Sequence, residues 1–155
     1  MNTNFDAINF LHVIKAVSVT SSGLFAGAAI YITYVQHPAL MTASPREMVN
    51  QFQVFYPRAA KLQATLALTA MVGSAGAAYL TERQIYIIPS VLFATVVGYT
   101  LLSIKKINTR LLTMKKEDPS PNVQQLIKTW GRKHFVRSVL SSVGFGVLIY
   151  DVFRR

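Results

Sequence analysis

Apolar and ionic positions are sharply segregated along the chain. Four runs contain no Asp, Glu, Lys or Arg: Ala16–Pro45, Leu62–Thr81, Gln84–Ile104 and Ser138–Tyr150. The second and third are close to the ~20 residues that carry a helix, at 1.5 Å per residue, across the ~30 Å of a bilayer's hydrocarbon, and each predicts a membrane span. The first run is longer than a span needs. His37-Pro38 predicts where its helix stops, because proline disfavours helix at the residue before it and donates no hydrogen bond of its own. The fourth run covers only roughly 20 Å as a helix, so Arg137 and Asp151 are expected at the hydrocarbon edges, snorkelling or paired. The predicted spans are residues 12–36, 57–81, 84–104 and 135–153. The fold class that follows is all-α: one integral-membrane domain, residues 1–155, folded as an antiparallel four-helix bundle.

The connections carry their own signals. Ser44-Pro45-Arg46-Glu47 is a capping box with proline at the first helical position. It predicts a short interfacial amphipathic helix running towards Tyr56-Pro57, with Pro57 opening the second span. Only Glu82-Arg83 separates the second and third runs, which forces a helical hairpin. Asp118-Pro119-Ser120-Pro121 is the one linker; Ser120 as N-cap and Pro121 as first helical residue predict a second amphipathic helix that leads into the fourth span. Gly23 and Gly27, Gly73 and Ala77, and Ser142 and Gly146 set small residues one turn apart, as close helix packing in lipid requires. That pattern fits packing within the chain better than a homodimer face, although a homo-oligomer stays open.

Composition agrees with this reading: 52% of the 155 residues are hydrophobic and 14% charged, too apolar for an ordinary soluble domain. Net charge is nevertheless +10. Loop one and the 105–137 stretch hold 12 basic and 3 acidic residues, whereas the termini and the 82–83 turn hold 4 and 3. The positive-inside rule then expects both large loops in the cytosol and both termini on the other side, with the organelle open between endoplasmic reticulum and mitochondrial inner membrane. The lysines of the 105–137 loop are expected to meet anionic lipid headgroups, and nucleic acid is not expected as a partner. With no cysteine, disulfides, thiolate-ligated metals and thiol redox chemistry are excluded. The first residues, with Asp6 and no basic run, do not read as a cleaved signal or presequence.

The informative polar residues fall at the basic end. His37 closes the first span, Tyr56, Arg58 and Gln63 open the second, Asn108 follows the third, and Trp130, His134 and Arg137 lead into the fourth. Trp130, His134 and Arg137 are spaced i, i+4, i+7 and share one helix face. Ionisable groups in a bundle are costly unless paired, which makes them functional candidates. Each also has a plain reading: Trp130 and Tyr56 as interfacial belt residues, Arg137 and Lys15 as snorkelling cations, His12 as a solvated end residue. No metal is assigned. Three histidines with Glu47, Glu117 and Asp118 leave a two-His-one-carboxylate site open, but no H-x-x-E or E-x-x-H pattern is present. Nucleophilic triads, phosphate loops and dinucleotide fingerprints are absent.

Gly27-x-x-x-Tyr31 with Val35-Gln36-His37-Pro38-Ala39, Phe55-Tyr56-Pro57-Arg58-Ala59 with Gln63, Ile107-Asn108-x-Arg110-Leu111 and Trp130-x-x-x-His134-x-x-Arg137, in this order along nearly the whole chain, resemble the anthrone oxygenase family of four-helix membrane proteins. The resemblance implies oxidation of a flat phenolic, anthrone- or quinone-like molecule by O2 without flavin or haem. On that analogy His134 is the general base, since an imidazole with an ordinary pKa of about 6.5 suits proton transfer at neutral pH. Arg137 and Asn108 would stabilise the developing oxyanion and His37 would hydrogen-bond His134 or substrate. Trp130 and Tyr56, with Gln63 and Tyr31, would hold the rings. The competing reading is a non-catalytic accessory or lipid-binding subunit of a larger membrane complex, with the polar cluster as a structural lock. Quinone or haem binding through the same residues also stays open.

Overall fold

The computed structural model describes the backbone of residues 3–117 and 119–154, and the side chains of those from Asn9 on. Four helical rods make up the fold. Helix α1 runs Thr3–Tyr31, widens into a π-helical turn over Ile32–Gln36 and ends in a last α turn, His37–Met41. Helix α2 is Pro45–Thr81. Helix α3 begins as a 3-10 turn, Gln84–Tyr86, continues over Ile87–Tyr99, passes through a second π turn at Thr100–Ile104 and finishes with Lys105–Leu112. Helix α4 is Val123–Phe153. Each rod packs on its chain neighbour and α4 closes on α1, so the four form an antiparallel bundle.

All four rods are long and apolar enough to cross a bilayer, and only 22–33% of the residues in each span window are buried within the bundle. The remaining apolar surface, from Leu24 on α1 to Val72 on α2 and Leu102 on α3, faces outward, the arrangement that a hydrocarbon solvent rather than water stabilises. The chain is a multi-pass membrane protein. Its interior falls into three layers: Phe52, Ile104, Ile127 and Trp130 at the basic end, Phe25, Ala67 and Phe93 in the middle, and Ala77, Tyr86 and Leu148 at the end near the termini.

Several boundaries differ from those expected. Pro38 does not end the first helix. The His37 N–H bonds back five residues to the Ile32 carbonyl, and this widened turn delivers Pro38 into the first turn of a fresh α segment, where no N–H is required of it. The stretch after Ser44 is helical as expected but is no separate element: α2 runs unbroken through Pro57. Its extension is tied down by Gln53, whose amide donates to the carbonyls of Leu111, Leu112 and Met114 at 3.1, 3.1 and 2.9 Å. Those carbonyls end α3, and Gln53 serves as their cap. Only half of the capping box forms. Ser44 Oγ accepts from the Glu47 N–H at 3.4 Å, while the Glu47 carboxylate accepts from Gln51 at 3.1 Å. The 82–83 turn is as tight as expected, with Glu82 in the left-handed region at φ 56°. Helix α4 starts at Val123, two residues later than Pro121, because the Val123 N–H closes a turn onto the Ser120 carbonyl at 2.9 Å. Asp118 lies outside the described residues.

Candidate functional site

Helix α4 presents Trp130, His134, Arg137, Ser138 and Ser141 along one buried stripe. The i, i+4, i+7 spacing read from sequence therefore faces the bundle interior. Trp130 is 2% exposed and its indole N–H donates to Asn108 Oδ1 at 2.9 Å. This rules out the interfacial-belt reading for Trp130, which is a core residue with a satisfied donor. Around it stand Phe52, edge-on at 5.4 Å between ring centroids, and Phe55 at 6.2 Å, while Tyr56 stacks on Phe52 at 4.9 Å.

The two histidines flank the indole, His134 at 5.1 Å and His37 at 6.2 Å between ring centroids. They lie at the same end of the bundle but do not bond to each other. His37 instead donates from Nε2 to the Ile127 carbonyl at 3.1 Å. It can lie there because residue 131 is glycine: a Cβ on Gly131 would overlap the imidazole. Glycine inside a helix costs about 1 kcal/mol against alanine, and this close approach is what the cost permits.

His134, 1% exposed, is oriented by a short hydroxyl chain. Ser138 Oγ donates to the Ala29 carbonyl at 2.9 Å, a group that can only accept. With its proton so placed, Ser138 accepts from Thr33 Oγ1 at 2.7 Å, and Thr33 in turn accepts from His134 Nδ1 at 3.2 Å. Donor counting along the chain fixes the neutral imidazole as its Nδ1–H tautomer, leaving a lone pair on Nε2. Nε2 is buried and has no partner among the described residues. Thr33 belongs to the π turn of α1, one of the helical irregularities that recur at functional sites.

One turn along α4, Arg137 is 8% exposed and does not snorkel. Its Nη2 donates to Gln63 Oε1 at 2.8 Å and its guanidinium stands 5.4 Å from the Phe25 ring centroid. Among the described residues no carboxylate lies within ion-pair distance of it, and Arg137 Nε and Gln63 Nε2 have no partner.

His134, Arg137, Gln63, Tyr56 and Trp130 line one enclosed space of about 10 Å³, room for a single water-sized molecule. Through Tyr56, Ala60, Gln63 and Arg137 it adjoins a crevice of about 120 Å³ that continues between α2 and α3 past Ala64, Val97 and Leu101. On the other flank of α2, Gln63 also borders an open groove of about 420 Å³ against α1, and Tyr31 sits on its lip. Of the residues singled out from sequence, His134, Arg137, Gln63, Tyr56 and Trp130 thus meet at one space. Asn108 and His37 support it from behind through Trp130 and Gly131, and Tyr31, 55% exposed, remains outside. Thr33, Ser138 and Gly131 had not been singled out. The signals for them were weak: a serine one turn beyond His134, a threonine one turn before His37 and a glycine inside a helix. No three of the described His, Asp and Glu residues gather as a metal-ligand set.

The sequence model of the family described as anthrone oxygenase matches residues 52–147, well over half of the chain. The chain belongs to the anthrone oxygenase family. The matched segment carries Tyr56, Gln63, Asn108, Trp130, His134 and Arg137, and excludes His37 and Thr33 on α1. No curated protein and no solved structure matches the chain. Family membership thus covers the α2–α4 part of the site, while the hydroxyl that orients His134 comes from the helix outside the match.

Proposed function

We propose that the protein is a membrane-embedded oxygenase of the anthrone oxygenase type, acting with O2 on a flat phenolic substrate that reaches the site from the bilayer. One observation carries this reading: three buried polar atoms with no partner among the described residues, His134 Nε2, Arg137 Nε and Gln63 Nε2, belong to residues lining the same space. A buried donor or acceptor left unmade costs ~1–3 kcal/mol, and a bilayer offers less water to relieve it than a soluble surface does. A ligand that accepts from Arg137 and Gln63 while giving a proton to His134 would use all three.

The corresponding chemistry balances. The His134 Nε2 lone pair takes a proton from the CH2 between the substrate's rings, and the negative charge moves onto the ring oxygen, where Arg137 and Gln63 donate to it. The carbanion passes one electron to O2, and the resulting carbon radical and superoxide combine into a peroxide. The peroxide takes the proton back from His134, then loses the second hydrogen of the CH2 together with hydroxide as water. One oxygen atom ends in the new carbonyl and the other in water. The aromatic wall of Phe55, Tyr56 and Trp130 keeps solvent from quenching the carbanion.

A second, non-catalytic reading is favoured by the size of the space: 10 and 120 Å³ lie below the ~300 Å³ at which small-molecule pockets begin. A tricyclic substrate therefore requires α2 and α3 to part along the alanine-lined crevice. The readings separate on purified protein in detergent supplied with an anthrone under air. Quinone formation and O2 uptake that vanish in His134→Gln at unchanged thermal stability support the oxygenase. No turnover by wild type, or equal loss of folding and activity in the variant, supports the structural lock.

A further inference from the structure

The two ends of the bundle treat their cations differently. At the end near the termini they are met within the chain: Arg83 pairs with Asp151 at 2.7 Å, and Lys15 holds a buried ammonium 5.4 Å from the Tyr86 ring centroid instead of snorkelling. At the basic end, Arg46, Arg58 and Lys61 of α2 are accompanied by Glu47. The α3–α4 side has no such counterweight. Neither Gln84 to Lys116 nor Pro119 to Tyr150 contains an aspartate or a glutamate, yet the two stretches hold five and four Lys or Arg residues. Lys105, Lys106 and Arg132 are exposed, and among the described residues no cation at this end lies within ion-pair distance of a carboxylate. The charge of both helices stands at one level. Lys133 donates from Nζ to the Ser103 carbonyl at 2.9 Å, in the π turn of α3, which sets Arg132 and Lys133 across from the start of Lys105–Leu112. One turn further into the bilayer the outer surface is apolar on both helices: Leu101 and Leu102 precede Lys105 and Lys106, and Phe135 and Val139 follow Arg132, all of them exposed. Ionic and hydrocarbon-facing surface thus meet along one line that crosses both helices, the depth at which lipid phosphates lie.

We propose that the α3–α4 face of the basic end binds anionic phospholipid selectively, with the phosphodiester headgroup held by Lys105, Lys106 and Arg132 and the acyl chains lying along Leu102 and Phe135. Charge complementarity decides the occupant. Exposed ammonium and guanidinium groups of one sign, set directly against apolar surface, fit a ligand with an anionic head and a hydrocarbon tail, whereas a zwitterionic headgroup brings its own cation into the same field. The Arg132 guanidinium can donate to two phosphate oxygens at once. Lys133, half-buried and committed to the Ser103 carbonyl, holds the two helices together at this level. The surface is independent of the oxygenase reading, since none of these residues lines the space around His134.

The test places the full chain in phosphatidylcholine bilayers at low salt and uses Trp130, the chain's single tryptophan, as energy donor to a trace of dansyl-labelled phosphatidylglycerol or dansyl-labelled phosphatidylcholine. Trp130 precedes Arg132 on α4, so transfer reports the lipid at this end. Phosphatidylglycerol is expected to be enriched about fivefold or more over phosphatidylcholine, the preference that one cation at a membrane surface supplies. The enrichment should fall towards parity in about 1 M salt, where the Debye length is only about 3 Å. Lys105→Gln/Lys106→Gln/Arg132→Gln should abolish it, and the charge-retaining Lys105→Arg/Lys106→Arg/Arg132→Lys should keep it. Arg46→Gln/Lys61→Gln on α2 should leave it in place. Circular dichroism and thermal unfolding show that each variant is folded, and the salt series reads the same contact in the wild-type chain. Equal transfer to both lipids, an undiminished preference in the folded triple glutamine variant, or an equal loss in Arg46→Gln/Lys61→Gln would overturn the proposal. Displacement of phosphatidylglycerol by single-stranded RNA at constant ionic strength would overturn it too, assigning the surface to nucleic acid.

Discussion

Thr33→Val probes the orientation of His134 without touching the imidazole. Valine keeps the branched shape and removes one hydroxyl, the group that accepts from His134 Nδ1 at 3.2 Å and donates to Ser138 at 2.7 Å. The Nδ1–H then loses its acceptor in a site 1% exposed, at a cost of ~1–3 kcal/mol. The ring can escape that cost by carrying its proton on Nε2 instead, and in that tautomer the atom facing no partner is no longer a base. A loss of about 1.4 kcal/mol of tautomer preference shifts the Nδ1–H to Nε2–H ratio about tenfold; once the Nε2–H form dominates kcat falls in proportion, by up to about 100-fold over the full range, with KM nearly unchanged. The assay is O2 uptake and quinone absorbance with an anthrone in detergent, alongside 15N NMR of histidine-labelled protein, which distinguishes the two imidazole tautomers directly. Ser138→Ala should act in the same direction, and Thr33→Val/Ser138→Ala should be no slower than Thr33→Val alone, since both substitutions cut one chain. A wild-type protein whose His134 carries its proton on Nε2, or a Thr33→Val variant with kcat within about twofold of wild type, would refute the assignment of base and tautomer together.

Three further outcomes follow from the same geometry. Arg137→Met/Gln63→Leu removes a buried cation that has no carboxylate partner among the described residues, so melting temperature should hold or rise while kcat/KM drops about 10²- to 10³-fold; parallel losses of both in thermal unfolding and turnover would mark the pair as structural. Gly131→Ala drives a methyl into His37 and should destabilise by about 1–3 kcal/mol in denaturant or thermal unfolding, with His37→Ala recovering much of that in the double variant; an additive double variant contradicts the close approach. Ala64→Leu narrows only the outer crevice and is expected to raise KM about tenfold, as a lost ~1.4 kcal/mol of substrate binding would, at unchanged stability. Substrate saturation curves check it, and an unaltered KM would place the way in elsewhere.

The bundle was legible because its signal is long-range and redundant: twenty-residue runs such as Leu62–Thr81 admit one reading in a bilayer, and the two-residue Glu82-Arg83 turn admits one connection. The ends of helices were less legible, since proline was read by its local rule. Pro38 and Pro57 both sit within continuous helical rods, one because a π turn precedes it, the other because Gln53 secures the segment before it from across the bundle. Neither compensation leaves a mark near the proline. At the site, the i, i+4, i+7 face of α4 could be read because helical periodicity alone places those residues together. The partner of His134 could not be. Thr33 lies 101 positions away, in a turn whose π geometry no propensity announces, and a threonine in an apolar run looks like any other.

The contrast between the two ends of the bundle bears on whether the cluster around His134 is a lock or a site. At the far end the buried Asp151 carboxylate meets a hydroxyl and a guanidinium, the arrangement of a charge stabilised by its own protein. At the basic end, the groups that hold the frame are likewise paired: Trp130 with Asn108, His37 with Ile127, Ser138 with Ala29. At this end the atoms with no partner among the described residues belong to His134, Arg137 and Gln63, which are the residues that meet at the enclosed space. A lock gains from satisfying every member, since a partly satisfied polar network is worse than an apolar core. On the oxygenase reading proposed above, a frame satisfied in this way leaves a base, a cation and an amide for a ligand that brings an acidic proton and an oxygen acceptor.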